Sequence, residues 1–250
     1  MSEIILGILM PFAGTALGSA FSFFAGRKIS ENADVYLSGF ASGVMIAASV
    51  WSLIIPSVEM SENYGSLSFL PSAVGITAGM AFVLLLAKFT ENKFDKIKKK
   101  NFLLFLSVTL HNIPEGMAVG AAYALSMLDD DPAALVQACL LSFGISVQNI
   151  PEGAIISLPL RSEGKGRLKS AMYGAASGIV EPIASVITIM LVHLALPLLP
   201  YLLSFAAGTM ICVVLEELIP QSRNNEKNNK GTIAFVVGFL VMMCLDVALG

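Results

Sequence analysis

The sequence predicts an all-α polytopic membrane protein with eight transmembrane helices, and three observations carry that prediction. Of the 250 residues 56% are apolar and only 13% charged, with a mean hydropathy of +0.78, a composition suited to lipid surroundings rather than to a soluble enzyme. Apolar runs of about 20 residues or more, enough to cross a hydrocarbon core, occur eight times. All fifteen Lys and Arg residues fall in alternate connections between those runs. No length remains for a soluble domain, so 1–250 reads as one transmembrane domain.

The first run, 4–26, follows Met-Ser-Glu-Ile, which lacks the basic start of a signal peptide and leads to no small-residue cleavage site. It is expected to stay as a spanning helix. The second and third runs cover 35–58 and 67–90, and the Lys-rich stretch 91–101 after them reads as a topology determinant rather than a lipid or regulatory site. Runs at 102–127, 133–160, 170–192 and 195–219 follow. A polar, low-complexity stretch at 224–230 reads as a loop, and 231–250 is the last span. Gly14 and Gly18, Gly39 and Gly43, and Gly174 and Gly178 are each four apart, the spacing that lets helices pack closely. Cys139, Cys212 and Cys244 lie inside apolar runs with no paired spacing and read as buried packing residues.

The basic residues set the orientation. Arg27 and Lys28 follow the first span; Lys88, Lys93, Lys96, Lys98, Lys99 and Lys100 surround the third connection; Arg161, Lys165, Arg167 and Lys169 make the fifth; Arg223, Lys227 and Lys230 make the seventh. By the positive-inside rule these connections are cytoplasmic and both termini lie outside, as expected of an inner cell membrane protein. Glu3, Glu59, Glu62 and Asp129-Asp130-Asp131 then share the outer face, where they either draw in cations or simply solvate the loops. Glu59, at the end of the second span, is the favoured entrance residue.

The chemistry lies in a hexapeptide written twice. Residues 111–116 read His-Asn-Ile-Pro-Glu-Gly and residues 148–153 read Gln-Asn-Ile-Pro-Glu-Gly, each in the middle of a span. Helical spacing puts His111 above Glu115, and Gln148 above Glu152, on one face. Pro114 and Pro151 free the carbonyls of Leu110 and Val147 beside them. A carboxylate at the bilayer centre costs about 2.5–3.5 kcal/mol, so Glu115, Glu152 and Glu181 together cost about 8–10 kcal/mol. No Lys or Arg lies at their depth, so protons or bound cations must balance them.

His111, Gln148, Asn112 and Asn149 add donors at that level, the two asparagines fitting either ligation or interhelical hydrogen bonds. This mixed oxygen and nitrogen set suits Zn²⁺, Fe²⁺, Mn²⁺ or Cd²⁺; it suits Cu⁺ poorly, and Ca²⁺ and Mg²⁺ sites seldom include His. Met45, Ser52 and Glu59 recur every seven residues on one face of the second span, toward the site from outside. Glu216 and Glu217, near the inner end of the seventh span, are either an exit path or surface carboxylates. His193 reads as packing or surface.

The pattern resembles the ZIP (Zrt/Irt-like) divalent-metal transporters, and their GufA-like prokaryotic branch in particular. The likeness covers the whole chain and rests on both hexapeptides, on Ser-Gly-Ile-Val-Glu-Pro at 177–182 and on Glu-Glu-Leu-Ile-Pro at 216–220. It implies a 3+2+3 arrangement, with helices 1–3 and 6–8 as inverted repeats around helices 4 and 5. It also implies up to two adjacent metals: His111, Glu115, Gln148 and Glu152 would hold one, and Asn112, Asn149, Glu152 and Glu181 the other. Glu152 or Glu115 would bridge them, and Met45, Ser52 and Glu59 match the family's entrance positions. Asn149 stands where some relatives have Asp, and the third connection lacks the His-rich stretch many relatives carry.

The function expected is transport of Zn²⁺, with Fe²⁺, Mn²⁺ or Cd²⁺ as further cargo, into the cytoplasm. Helices 4 and 5 would move in an elevator-like way against the repeats. There is no nucleotide motif, no catalytic cofactor and no nucleic-acid partner in this reading; its partners are metal ions, lipid and a second copy of the chain. An intramembrane metalloenzyme and a metal-sensing receptor are the rivals, and the sequence has no His-Glu-x-x-His for the first of them.

Overall fold

A computed structural model describes residues 2–26, 31–90, 96–129, 132–223 and 229–249. Its spanning helices are α1 (Ser2–Phe23), α2 (Val35–Glu59), α3 (Phe69–Phe89), α4 (Asn101–Met127), α5 (Pro132–Ser162), α6 (Arg167–Met190), α7 (Leu199–Ser222) and α8 (Lys230–Ala248). Arg27, Lys28, Lys93, Asp130, Asp131 and Lys227 lie outside the described residues.

Prolines punctuate these helices. Pro200 sits in the first turn of α7, so that helix starts at Leu199, after a separate short turn of helix at Val192–Ala195, rather than at the expected 195. Pro182 cannot donate to Gly178, and α6 breaks there into Arg167–Gly178 and Val180–Met190, with Glu181 in the first turn of the second piece. α2 and α7 each widen to a π-helical stretch, Ser49–Ile54 and Val214–Leu218, just ahead of Pro56 and Pro220. The two helices also share a sequence: Phe-Ala-Ser-Gly-Val-Met-Ile at 40–46 recurs as Phe-Ala-Ala-Gly-Thr-Met-Ile at 205–211.

Glycines decide which helices touch. A Cβ on Gly14 or Gly18 of α1 would strike the carbonyls of Ser146 or Ile150 on α5, and one on Gly116 or Gly120 of α4 would strike Glu181 or Ser185 on α6. Gly39 and Gly43 bring α2 onto α8 in the same way, and Gly75 and Gly79 bring α3 onto α7. These contacts sort the helices into two groups, α1 with α4, α5 and α6, and α2 with α3, α7 and α8. The packing thus runs across the division into helices 1–3, 4–5 and 6–8. Between the groups lies an apolar core including Val44, Met45 and Leu53 of α2, Val108 of α4, Ile156 of α5 and Met210 of α7.

Cys212 is buried and Cys139 half-buried as packing residues, but Cys244 is exposed, a correction to the expected burial. Its face of α8 points away from the bundle, where an apolar thiol suits the hydrocarbon.

Candidate metal centre

Both hexapeptides lie within unbroken helix, so each presents its first and fifth residues on one face. Those faces meet. His111 Nε2 lies 2.7 Å from Glu152 Oε2 on the neighbouring helix, and His111 Nδ1 lies 3.6 Å from Glu115 Oε1. Ligand atoms of His111, Glu115 and Glu152 all fall within 4.8 Å of one another, and all three side chains are buried. Gln148 closes the group, its Nε2 donating to Glu115 Oε1 at 2.7 Å.

Asn112 and Asn149 follow His111 and Gln148 on α4 and α5, and Glu181 lies on α6. Asn112 Nδ2 donates to the Ser177 carbonyl at 3.0 Å, and Asn149 Nδ2 to the Pro11 carbonyl at 3.5 Å. Glu181 Oε1 accepts from the Thr15 hydroxyl at 3.0 Å. Both asparagines therefore make interhelical bonds, one of the two roles their sequence positions fit, yet each keeps its oxygen unused. Among the described residues, His111 Nδ1, Asn112 Oδ1, Glu115 Oε2, Asn149 Oδ1, Glu152 Oε1 and Glu181 Oε2 are buried without a hydrogen-bond partner. Buried polar atoms normally find partners, and this set, five oxygens and one ring nitrogen, has the composition of a ligand shell for a borderline divalent cation.

The glycine ending each hexapeptide explains how the shell is assembled. Gly116 lets the Glu181 backbone of α6 close in on α4, and Gly153 lets the Thr15 backbone of α1 close in on α5. Ser185 then donates to the Gly116 carbonyl at 2.7 Å, while the Ser19 hydroxyl, which donates to the Thr15 carbonyl at 2.8 Å, lies 3.4 Å from the Gly153 carbonyl. With the two asparagine bonds, every one of these contacts between α4 and α6 has its twin between α5 and α1.

A cavity of ≈ 550 Å³ leads to the cluster from the end of the bundle that carries Glu59. Trp51, Ser52, Glu59, Glu115, Gln148 and Asp246 are among its lining residues. Ser52 Oγ lies 2.7 Å from Asp246 Oδ1 and 3.1 Å from Gln148 Oε1, so a polar path runs from α8 through α2 to the site. Met45, expected on this path, is instead fully buried in the apolar core and does not line the cavity, because the widened turn at Ser49–Ile54 rotates the helix faces between it and Ser52. Glu216 is exposed and Glu217 half-buried at the other end of the bundle; neither lines this cavity or the second, apolar one of ≈ 350 Å³ between the groups. His193, Glu3 and Glu62 are exposed.

Asp246 and Thr15 were not singled out from the sequence. An acid inside the last apolar run could have been found by the same charge-cost reasoning that found Glu181. A threonine in a helix carries no such cost and gives no signal.

The family described as ZIP zinc transporter matches residues 88–246. The zinc transporter ZIP11 of Xenopus tropicalis is 34% identical, over 99% of this chain and 97% of its own. The zinc transporter ZIPB of Bordetella bronchiseptica is 31% identical over 98% of this chain and 81% of its own, and the zinc transporter GufA of Myxococcus xanthus 30% identical over 95% and 96%.

Proposed function

The chain belongs to the ZIP zinc transporter family, and on that premise we propose that it carries Zn²⁺, with Fe²⁺, Mn²⁺ and Cd²⁺ as further cargo, across the cell membrane into the cytoplasm. The observation that carries this reading is the buried convergence of His111, Glu115 and Glu152 in a stretch of helix without Lys or Arg. One cation would take His111, Glu115, Gln148 and Glu152, and a second would take Asn112, Asn149, Glu152 and Glu181, with Glu152 shared. The orphaned donors of the second set favour that pairing.

Glu59, Ser52 and Asp246 form the entrance in this reading, and the alternation of Lys and Arg supports an orientation with their end of the bundle, and both termini, outside the cytoplasm. The twin contacts between α4 and α6 and between α5 and α1 support the inverted 3+2+3 arrangement within one transporter domain. The packing favours a moving body larger than helices 4 and 5, since α1 and α6 are locked to them by glycine contacts and would travel too. Each carboxylate of the cluster already uses one oxygen on a neighbour, which favours ligation over service as the free base of an enzyme.

Purified protein in metal-free liposomes with a zinc dye inside tests this. Losing even an outer partner of a metal ligand costs about 10–100-fold, so Glu152→Ala is expected to slow dye response by about 100-fold or more. Equal signals from Glu152→Ala and wild type would sink the transport mechanism.

A further inference from the structure

We propose that Thr15 on α1 is a positioning residue for the second cation: its hydroxyl holds Glu181 Oε1 and thereby aims Glu181 Oε2 at the point shared by Asn112, Asn149 and Glu152. The proposal rests on the ligand role of Glu181 proposed above.

Three observations carry it. Thr15 is fully buried, 3.0 Å from Glu181 Oε1 and 3.4 Å from the Pro11 carbonyl. The hydroxyl has one proton, and the nearer acceptor takes it in preference to the more distant one. Second, the geometry leaves the carboxylate little freedom. Gly178 has no side chain, and a Cβ there would press on both Thr15 and Glu181 Oε1. One carboxylate oxygen is thus pinned while the other is left buried without a partner.

Third, Thr15 is the twin of Glu181. Glu181 is the residue whose backbone rests on Gly116, and Thr15 the one whose backbone rests on Gly153. Four residues on, the hydroxyls of Ser185 and Ser19 face the carbonyls of those same two glycines, at 2.7 Å and 3.4 Å. Four residues back, the carbonyls of Ser177 and Pro11 take the amides of Asn112 and Asn149. The backbone therefore offers two equivalent places beside the hexapeptides, and the sequence fills one with a carboxylate and the other with a hydroxyl. A second carboxylate there would face Glu181 at hydrogen-bond range and repel it. Threonine instead donates, which makes the site one-sided and fixes which oxygen of Glu181 remains for metal.

The test counts Zn²⁺ bound to purified, metal-free protein by equilibrium dialysis with elemental analysis. Wild type is expected to bind two ions. Thr15→Val, which exchanges the hydroxyl for a methyl at nearly constant volume, should keep the ion at His111, Glu115 and Glu152 and bind the second about 10–100-fold more weakly, the range for losing a partner that orients a ligand. Thr15→Ser, which keeps the hydroxyl, should restore the second ion. The proposal is overturned if Thr15→Val binds both ions as wild type does, if Thr15→Ser is as weak as Thr15→Val, or if Thr15→Val loses the first ion as well. Glu181→Gln separates the two levels. If it still binds two ions, or wild type binds only one, the ligand role of Glu181 falls and the proposal falls with it; if it loses the second ion while Thr15→Val does not, only the positioning role falls.

Discussion

The two helix groups are joined by the same device, yet the ligand cluster lies inside the first, whereas the apolar core lies between the two and draws on both. In both, glycines four residues apart bring a helix against its neighbour's carbonyls: Gly14 and Gly18 for α1 on α5, Gly39 and Gly43 for α2 on α8. Yet the first group encloses His111, Glu115, Glu152 and Glu181, while the second contributes Val44, Met45, Leu53, Leu203 and Met210 to an apolar core. Backbone approach is thus independent of what is buried behind it. Where the enclosed set is apolar, dispersion suffices to hold the helices. Where it is polar and short of hydrogen-bond partners, the cation of the proposed function would complete the packing.

The largest effect should come from breaking the approach itself in each group. Gly116→Val or Gly153→Val is expected to push α6 or α1 off the site and weaken Zn²⁺ binding by about 100-fold or more, beyond the range for losing an outer partner. Gly43→Val, which meets a Phe235 carbonyl in the other group, should reduce the yield of folded protein while the folded fraction binds Zn²⁺ as wild type does. Yield by gel filtration and affinity by dye competition check both; equal loss of affinity in the two groups would erase the distinction between them.

A smaller effect sharpens the contrast inside the first group. The hexapeptides differ in their first residue, and His111→Gln makes them alike. An oxygen donor in place of imidazole should lower the preference for Zn²⁺ over Mn²⁺ by about tenfold in competition uptake. The smallest effect is expected at the boundary. Ser52 on α2 donates to Asp246 on α8 at 2.7 Å and lies 3.1 Å from Gln148 on α5, across the two groups. Net worth of about 0.5–1.5 kcal/mol for such a bond puts Ser52→Ala at about a two- to tenfold change in half-saturating Zn²⁺, read from uptake rates.

The spans were legible because hydrocarbon demands about 20 apolar residues, and the structure shifts most ends by only a few positions. Glu115, Glu152 and Glu181 were legible for the same reason in reverse: each is conspicuous where charge is costly. His111 and Gln148 came with them through helical spacing. The helix grouping was not legible, because Gly14 and Gly18 announce a close contact without naming its partner. Nor was the part of Gly116 and Gly153, since a glycine after Pro-Glu looks the same whether or not another backbone lies on it. Met45 lies in the apolar core rather than on the cavity wall with Ser52 and Glu59, because a seven-residue repeat presumes regular α-helix and α2 widens between Met45 and Glu59. Thr15 and Ser19 give no sequence signal at all, being as common in packing as in function.

Trp51 is the single tryptophan of the chain, and it stands at the cavity that leads to Glu115, its ring edge-on to Phe239 with centroids 5.6 Å apart. It belongs to α2, whereas Glu115 and Gln148 on the far wall of that cavity belong to the other group. The protein thus carries its own optical gauge. Water in an open mouth solvates the indole and shifts its emission to the red; closing the wall against it dries the ring and shifts it to the blue, with no label attached.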